Sequence, residues 1–279
     1  PSSHGQRERQ ADESKCRGHQ MKVSVFLPTI RTHLLEKWYA SLEKSCSRHS
    51  FEAIFSGPFE VPESLAKREN VKFIKDFGNP TRAAQLAAIA AEGEYLYHVV
   101  DDILFFDDCL SDELDKIEEN DIVALRYREG QDFSGTELPA AYWYAPNAYP
   151  NWPGINQGWG IGIHFLMKKE LFVEFGGFDC RFEYLNHSAH DLLFRIQKAR
   201  EVNYKLSSRE ASTADWMPGT SGDHGPIHYA QITHDEGLFR SMWFSGNDNL
   251  KIDIDNWKDV PEVWSRRFDS TDIKSYEEL

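Results

Sequence analysis

The chain has 279 residues, 41% of them hydrophobic, and carries 31 Lys and Arg against 45 Asp and Glu, a formal net charge of −14. That length and apolar share suit one large α/β domain. The excess of carboxylates excludes nucleic acid as a partner, because neutralising phosphates needs concentrated Lys and Arg. It also disfavours electrostatic docking on anionic lipid, and any anionic ligand needs locally supplied positive charge.

Cys16, Cys46, Cys109 and Cys180 show no CxxC spacing, which argues against a structural zinc site or a disulfide framework. Reduced cysteines fit a cytoplasmic placement, at most peripheral to the inner membrane face. No apolar run approaches the ~20 residues that cross a bilayer, so no transmembrane segment is expected.

Residues 1–20 are polar and aperiodic and read as a disordered extension or an artificial remnant, with Met21 the natural start. Residues 21–279 form a single expected domain, in which 21–128, 129–210 and 211–279 are successive parts. Val23 to Leu27 is a continuous apolar strand, and Leu35, Trp38 and Leu42 recur at helical spacing. Phe51 to Phe55 is a second strand, Val71 to Ile74 a third. Asn79-Pro80 then opens an alanine-rich helix to Ala91, with Pro in its first turn. Gly93 ends that helix, and Tyr95 to Val100 is a buried strand that runs into Asp101-Asp102. An acidic helix over 107–119 and a strand from Ile122 to Tyr127 follow.

Residues 129–157 hold Phe133, Tyr142, Trp143, Tyr144, Tyr149 and Trp152 among Pro, Gly and Asn. This is either a sugar-stacking platform or a compact packed loop. Gly158 to Met167 reads as a strand, Lys168 to Phe175 as a short helix, and Ser188 to Arg200 as an amphipathic helix. A Gly- and His-rich loop over 219–234 precedes a last helix over 235–244. Strands alternating with helices imply a mostly parallel sheet, with ligands collecting at the carboxyl ends of its strands.

Three motifs stand in order along this frame: Pro28-Thr29 after the first strand, Gly93-Glu94-Tyr95 with Asp101-Asp102, and Gly176-Gly-Phe-Asp179 with His190-Asp191-Leu-Leu-Phe-Arg195. Together they resemble a family 2-like glycosyltransferase with the GT-A fold. The resemblance covers roughly residues 22–200. It implies an α/β fold with a mostly parallel central sheet flanked by helices and a C-terminal loop and helix extension. It further implies a metal-dependent, hexosyltransferase-like enzyme that transfers a sugar, with inversion, from a nucleotide-diphospho-sugar donor to a hydroxyl on a glycan, glycolipid or polysaccharide. Residues 21–128 become the nucleotide-sugar-binding half, 129–210 the acceptor-side half.

Acidic groups at the mouth of a sheet are costly without a counter-charge, and a divalent cation is the economical one. With Ile103 in the place of a third carboxylate, the resemblance makes Asp102 the ligand of Mn²⁺ or Mg²⁺ and Asp101 a ribose or supporting contact. His224 and His228, flanked by Gly219, Gly222 and Gly225, are candidates to complete the metal shell from a mobile loop. Thr29, Arg31, Asn79 and Arg82 are candidate donor contacts, since guanidinium groups pair with phosphate. By the same resemblance Asp191 is the general base. Ser56-Gly57-Pro58 stands where the family often has a base-reading Asp, so the nucleotide is left open. Two other classes compete: a metal-dependent phosphohydrolase built from His187, His190-Asp191, His224, His228 and His234-Asp235, and a non-catalytic carbohydrate-binding relative of the same fold.

Overall fold

The computed structural model describes residues 22–129, 159–213 and 230–262. One mixed sheet of eight strands runs through them: β1 (Val23–Pro28), β2 (Phe51–Gly57), β3 (Val71–Lys75), β4 (Tyr95–His98), β5 (Ile103–Phe105), β6 (Asp121–Glu129), β7 (Phe165–Lys168) and β8 (Asn203–Thr213), in the order β3-β2-β1-β4-β7-β6-β8-β5. The neighbours β3–β2, β2–β1, β1–β4 and β6–β8 are parallel, whereas β4–β7, β6–β7 and β5–β8 are antiparallel.

The first half is built as its apolar periodicity dictates. Continuous apolar strands require cover on both faces, and helices supply it. Helix α1 (Leu35–Ser45) puts Leu35, Trp38 and Leu42 against Val23, Val25, Leu27 and Phe55 on one face. A short helix α2 (Glu63–Ala66) links β2 to β3. Helix α3 (Pro80–Ile89) puts Ala84, Ala87 and Ala88 against Phe26, Ile54 and Leu96 on the other face. Small alanines let α3 lie close to the sheet. Asn79 caps it by accepting the Arg82 backbone N–H at 2.8 Å.

Beyond β4 the sequence reading needs correction. The strand expected to reach Val100 ends at His98, and the Asp pair sits in a turn that leads into the three-residue β5. The acidic helix shortens to α4 (Cys109–Leu114), and of the strand expected from Gly158 only Phe165–Lys168 is extended in the sheet. Strand β8 was not expected at all. Helices α5 (Lys169–Glu174), α6 (Leu185–Ala199) and α7 (Glu236–Trp243) match their periodicity, although α6 starts three residues before Ser188.

Two glycines make the turn after α5. Gly176 and Gly177 adopt φ of +77° and +69°, and a Cβ on Gly176 would stand 2.0 Å from the Ile252 carbonyl oxygen. Residues 250–260 form a strap over this turn. Gln85 of α3 donates to the carbonyls of Gly176 (3.0 Å) and Ile254 (2.9 Å), and Asn256 accepts from the Cys180 N–H at 2.7 Å. The C-terminal extension is therefore part of the core packing on the α3 side.

Candidate functional site

In the order β3-β2-β1-β4, the chain winds outward from β1 to β3 and then crosses back, by way of α3, to lie on the other side of β1. The carboxyl ends of β1 and β4 thus flank the topological switch point, where open α/β sheets bind ligands. Thr29 and Arg31 leave β1 there, and Asp101 and Asp102 leave β4 beside them.

Asp101 is 5% exposed. Its Oδ2 accepts from Thr29 Oγ1 at 2.7 Å and its Oδ1 is bonded by Arg31 Nη2. The Arg31 backbone N–H returns to Thr29 Oγ1 at 3.1 Å, and Arg31 Nη1 lies 3.4 Å from Asp102 Oδ2. From below, the Trp38 indole of α1 donates to the Val100 carbonyl at 3.0 Å and holds the turn in place. The Arg31 guanidinium thus faces both carboxylates of the acidic pair. Burial pushes the Tyr184 phenol, just before α6, up, with Asp102 adding to the rise and Arg31 opposing it.

A cavity of about 480 Å³ opens at the same sheet edge, lined by Ile30, Thr32, Pro58, Phe59, Glu60 and Lys75. Phe59 gives it an apolar wall. Lys75 and Glu60, 3.3 Å apart, give it a polar rim. Backbones crowd at its base, where a Cβ on Gly57 would fall 2.0 Å from the Thr29 carbonyl oxygen. Of these lining residues only Pro58, in Ser56-Gly57-Pro58, was singled out from the sequence. Asp76 was not, a buried carboxylate just past β3 that receives the Gly78 N–H at 2.9 Å and Arg82 Nε at 3.0 Å. Burial pushes its carboxyl up, against those two donors. The signal was present in Lys75-Asp76-Phe77-Gly78, an Asp and Gly turn between a strand and a capped helix.

Thr29, Arg31, Asp101 and Asp102 lie together, whereas Asn79 and Arg82 serve the scaffold in this arrangement. Asn79 is the α3 cap. Arg82 is spent on Asp76 and on the strap carbonyls of Trp257 and Val260.

Asp191 lies elsewhere and is fully buried. Its Oδ2 accepts from Arg195 Nε at 2.7 Å, its Oδ1 from the Trp243 indole at 2.9 Å. Arg195 in turn donates to the carbonyls of Phe175 and Gly177. The two side chains are one turn apart on α6 and bind the glycine turn to it. Burial pushes the Asp191 carboxyl up, opposed by Arg195. Asp191 is 0% exposed, so an acceptor hydroxyl reaches this carboxylate only if the packing around it opens.

His224 and His228 lie outside the described residues, as do residues 130–158 of the aromatic segment. Of the histidine loop, His234 is described, with Nδ1 2.8 Å from Asp235 Oδ1; Asp235 also accepts the backbone N–H groups of Glu183 (2.9 Å) and Tyr184 (2.8 Å). Among the described residues no group of three or more His, Cys, Asp and Glu is placed to hold a metal. The His/Asp centre of a phosphohydrolase is thus not assembled by His187, His190, Asp191, His234 and Asp235. For a cation bridged by phosphate the fit is better: Asp102 presents a partly open carboxylate, 16% exposed, and Mg²⁺ commonly uses one or two carboxylates plus substrate phosphates. Among the described residues no helix is long and apolar enough to cross a membrane.

No protein-family model and no curated protein matches the sequence. Solved structures do. The S. aureus TarS 1-349 crystal structure aligns with a TM-score of 0.53 at 14% identity, covering 92% of this chain and 74% of that one. Its complex with UDP-GlcNAc aligns with a TM-score of 0.53 at 16% identity, covering 92% and 76%. Against the longer TarS structure the coverage is 77% of this chain and 40% of that one, with a TM-score of 0.51. TarS is a family 2 glycosyltransferase with the GT-A fold. At these identities the likeness concerns architecture, and the architecture of this chain is the GT-A fold.

Proposed function

We propose that the protein transfers a sugar from a nucleoside-diphosphate sugar to a hydroxyl acceptor, a carbohydrate or glycolipid, at the carboxyl ends of β1 to β4. The observation that carries this reading is the meeting of Thr29, Arg31, Asp101 and Asp102 at the switch point, beside a cavity of about 480 Å³. That volume falls within the range of small-molecule sites. The TarS structures in complex with UDP and UDP-GlcNAc make these the first donors to test.

Each residue has a distinct task. Phe59 offers a face on which a nucleobase packs, while Glu60 and Lys75 offer an acceptor and a donor to its edge. Asp101, fixed by Thr29 and Arg31, would accept from ribose hydroxyls or support the residues that do. Among the described residues, Arg31 is engaged with Asp101 and Asp102, Lys75 with Glu60 and Arg82 with Asp76, so added positive charge would favour the binding of an anionic diphosphate. Mg²⁺ or Mn²⁺ held by Asp102 would supply that charge and stabilise the departing nucleoside diphosphate. For inversion with Asp191 as general base, the packing of Trp243 and Arg195 around the carboxylate would have to open to admit the acceptor hydroxyl.

Asp102→Asn keeps the size of the side chain and removes its charge. Release of UDP from UDP-GlcNAc in the presence of Mn²⁺ is expected to fall about a hundredfold or more, with an unchanged circular dichroism spectrum. A wild-type rate undiminished by excess EDTA counts against the cation. Hydrolysis of simple phosphoesters without turnover of any nucleotide sugar counts against the whole reading.

A further inference from the structure

The cavity at the carboxyl ends of β1, β2 and β3 carries a hydrogen-bonding pattern that separates one nucleobase from the others. Strands β2 and β3 are parallel, with Gly57 opposite Lys75, so they leave the sheet on one edge. Lys75 closes β3, and Glu60 follows shortly after β2 in the turn that carries Phe59. The two charged side chains meet at 3.3 Å on the cavity rim, next to the Phe59 wall. Glu60 is 70% and Lys75 43% exposed along the side chain. An ion pair this open is weak, and it parts at little cost to receive the edge of a base.

The rim thus offers, side by side, an ammonium donor and a carboxylate whose two oxygens accept. The Thr32 hydroxyl both donates and accepts, and so selects nothing. Guanine presents the full complement: its O6 accepts from Lys75, while its N1–H and 2-amino group donate to the two Glu60 oxygens. Adenine has only its 6-amino group to give the carboxylate, with N1 for the ammonium. Uracil has one N–H between two carbonyls. When that N–H meets Glu60, Lys75 serves one carbonyl and the other is left facing a carboxylate oxygen, a repulsive contact. A cavity of about 480 Å³ has room for a two-ring base.

We propose, on the functional reading above, that Glu60 and Lys75 are the specificity-determining residues for the donor and that its base is guanine, so that the donor is a guanosine-diphosphate sugar. The likeness to TarS, solved with UDP and UDP-GlcNAc, concerns architecture; the base is selected by the side chains of this rim.

Isothermal titration calorimetry on the whole chain, with GDP, IDP, ADP and UDP each in MgCl₂, tests the assignment. GDP is expected to bind about tenfold or more tighter than UDP, the difference made by one hydrogen bond to a charged group. IDP, which lacks the 2-amino group, is expected to fall between them. Glu60→Gln, at an exposed side chain, is expected to weaken GDP binding about tenfold and to leave UDP binding no weaker than in wild type. ADP binding as tight as that of GDP means that packing on Phe59 alone decides, and UDP binding as tight means that the rim does not read the edge. Either result, or a GDP affinity untouched by Glu60→Gln, overturns the guanine assignment and leaves the donor site standing. Binding of none of the four nucleotides overturns the donor reading itself, and this assignment with it. If Glu60→Gln does not fold, the wild-type series decides.

Discussion

Asp191→Asn is expected to destabilise the protein by about 3 kcal/mol, because it leaves the fully buried Arg195 guanidinium without its counter-charge. For a domain of this size that lowers the melting temperature by roughly 6–12 °C. The Asn amide can still accept the Trp243 indole proton, but it cannot balance the charge that holds the Phe175 and Gly177 carbonyls. In a double-mutant cycle, Asp191→Asn with Arg195→Met is expected to cost less than the sum of the two single changes, since the pair then leaves together. Calorimetry separates this role from that of a general base. A variant that melts with wild type yet has lost transfer restores Asp191 to the chemistry, and one that melts early without a specific loss of kcat confirms it as the tie between α6 and the glycine turn.

Acid is expected to unfold the protein well before the carboxylates are protonated. His98, His164 and His190 are buried, and burial lowers them to about 4, about 3 and about 3. His98 sits among Phe26, Phe165 and Phe178 and donates from Nδ1 to the Ile163 carbonyl. Its neighbour His164 is lowered further by it, and His190 by His187. In the unfolded chain each titrates near 6.5. Between that value and the folded ones the unfolded state binds more protons, so stability is fully present above pH 6.5 and falls as pH falls below it. Each histidine contributes a loss of about 2 kcal/mol between pH 7 and pH 5, so the three together reach about 6 kcal/mol. Total stabilities are commonly only about 5–15 kcal/mol. Asp76 and Asp191, whose carboxyls are raised, act in the opposite sense at the acid end. Urea midpoints measured at pH 7, 6 and 5 check the slope, and His98→Leu is expected to flatten it by about a third. A midpoint independent of pH over this interval means that these histidines are protonated in the fold.

The first half of the fold could be read from the chain because its rules are local. Val23 to Leu27, the Leu35, Trp38 and Leu42 stripe and the Asn79-Pro80 cap each declare one element without reference to distant residues. Strand β5 is only Ile103-Leu-Phe, and it was read as the end of an acidic motif. Strand β8 exists because β6 and β5 pair with it from both sides, while its own sequence, Asn-Tyr-Lys-Leu-Ser-Ser, is mostly polar. Tertiary pairing outweighs propensity in such strands.

At the site, residue types were legible and partners were not. Asp101 and Asp102 announced a need for positive charge, and Arg31, some 70 positions earlier, meets it. For Asp191 the clue lay in the sequence itself: Arg195 stands four residues on, the spacing of an ion pair along one helix face.

The strap over residues 250–260 also sets the order in which the molecule can be completed. Its bonds from Arg82 and Gln85 close loops of 178 and 169 residues, and such long closures come late in folding. During synthesis at about 5–20 residues per second, the strap emerges on the order of ten seconds after β4. Until then the Gly176 turn lacks its cover and Phe175 lacks the Lys251 side chain that lies over its ring. A nascent chain thus carries a nearly finished sheet with an unsealed flank until the strap arrives.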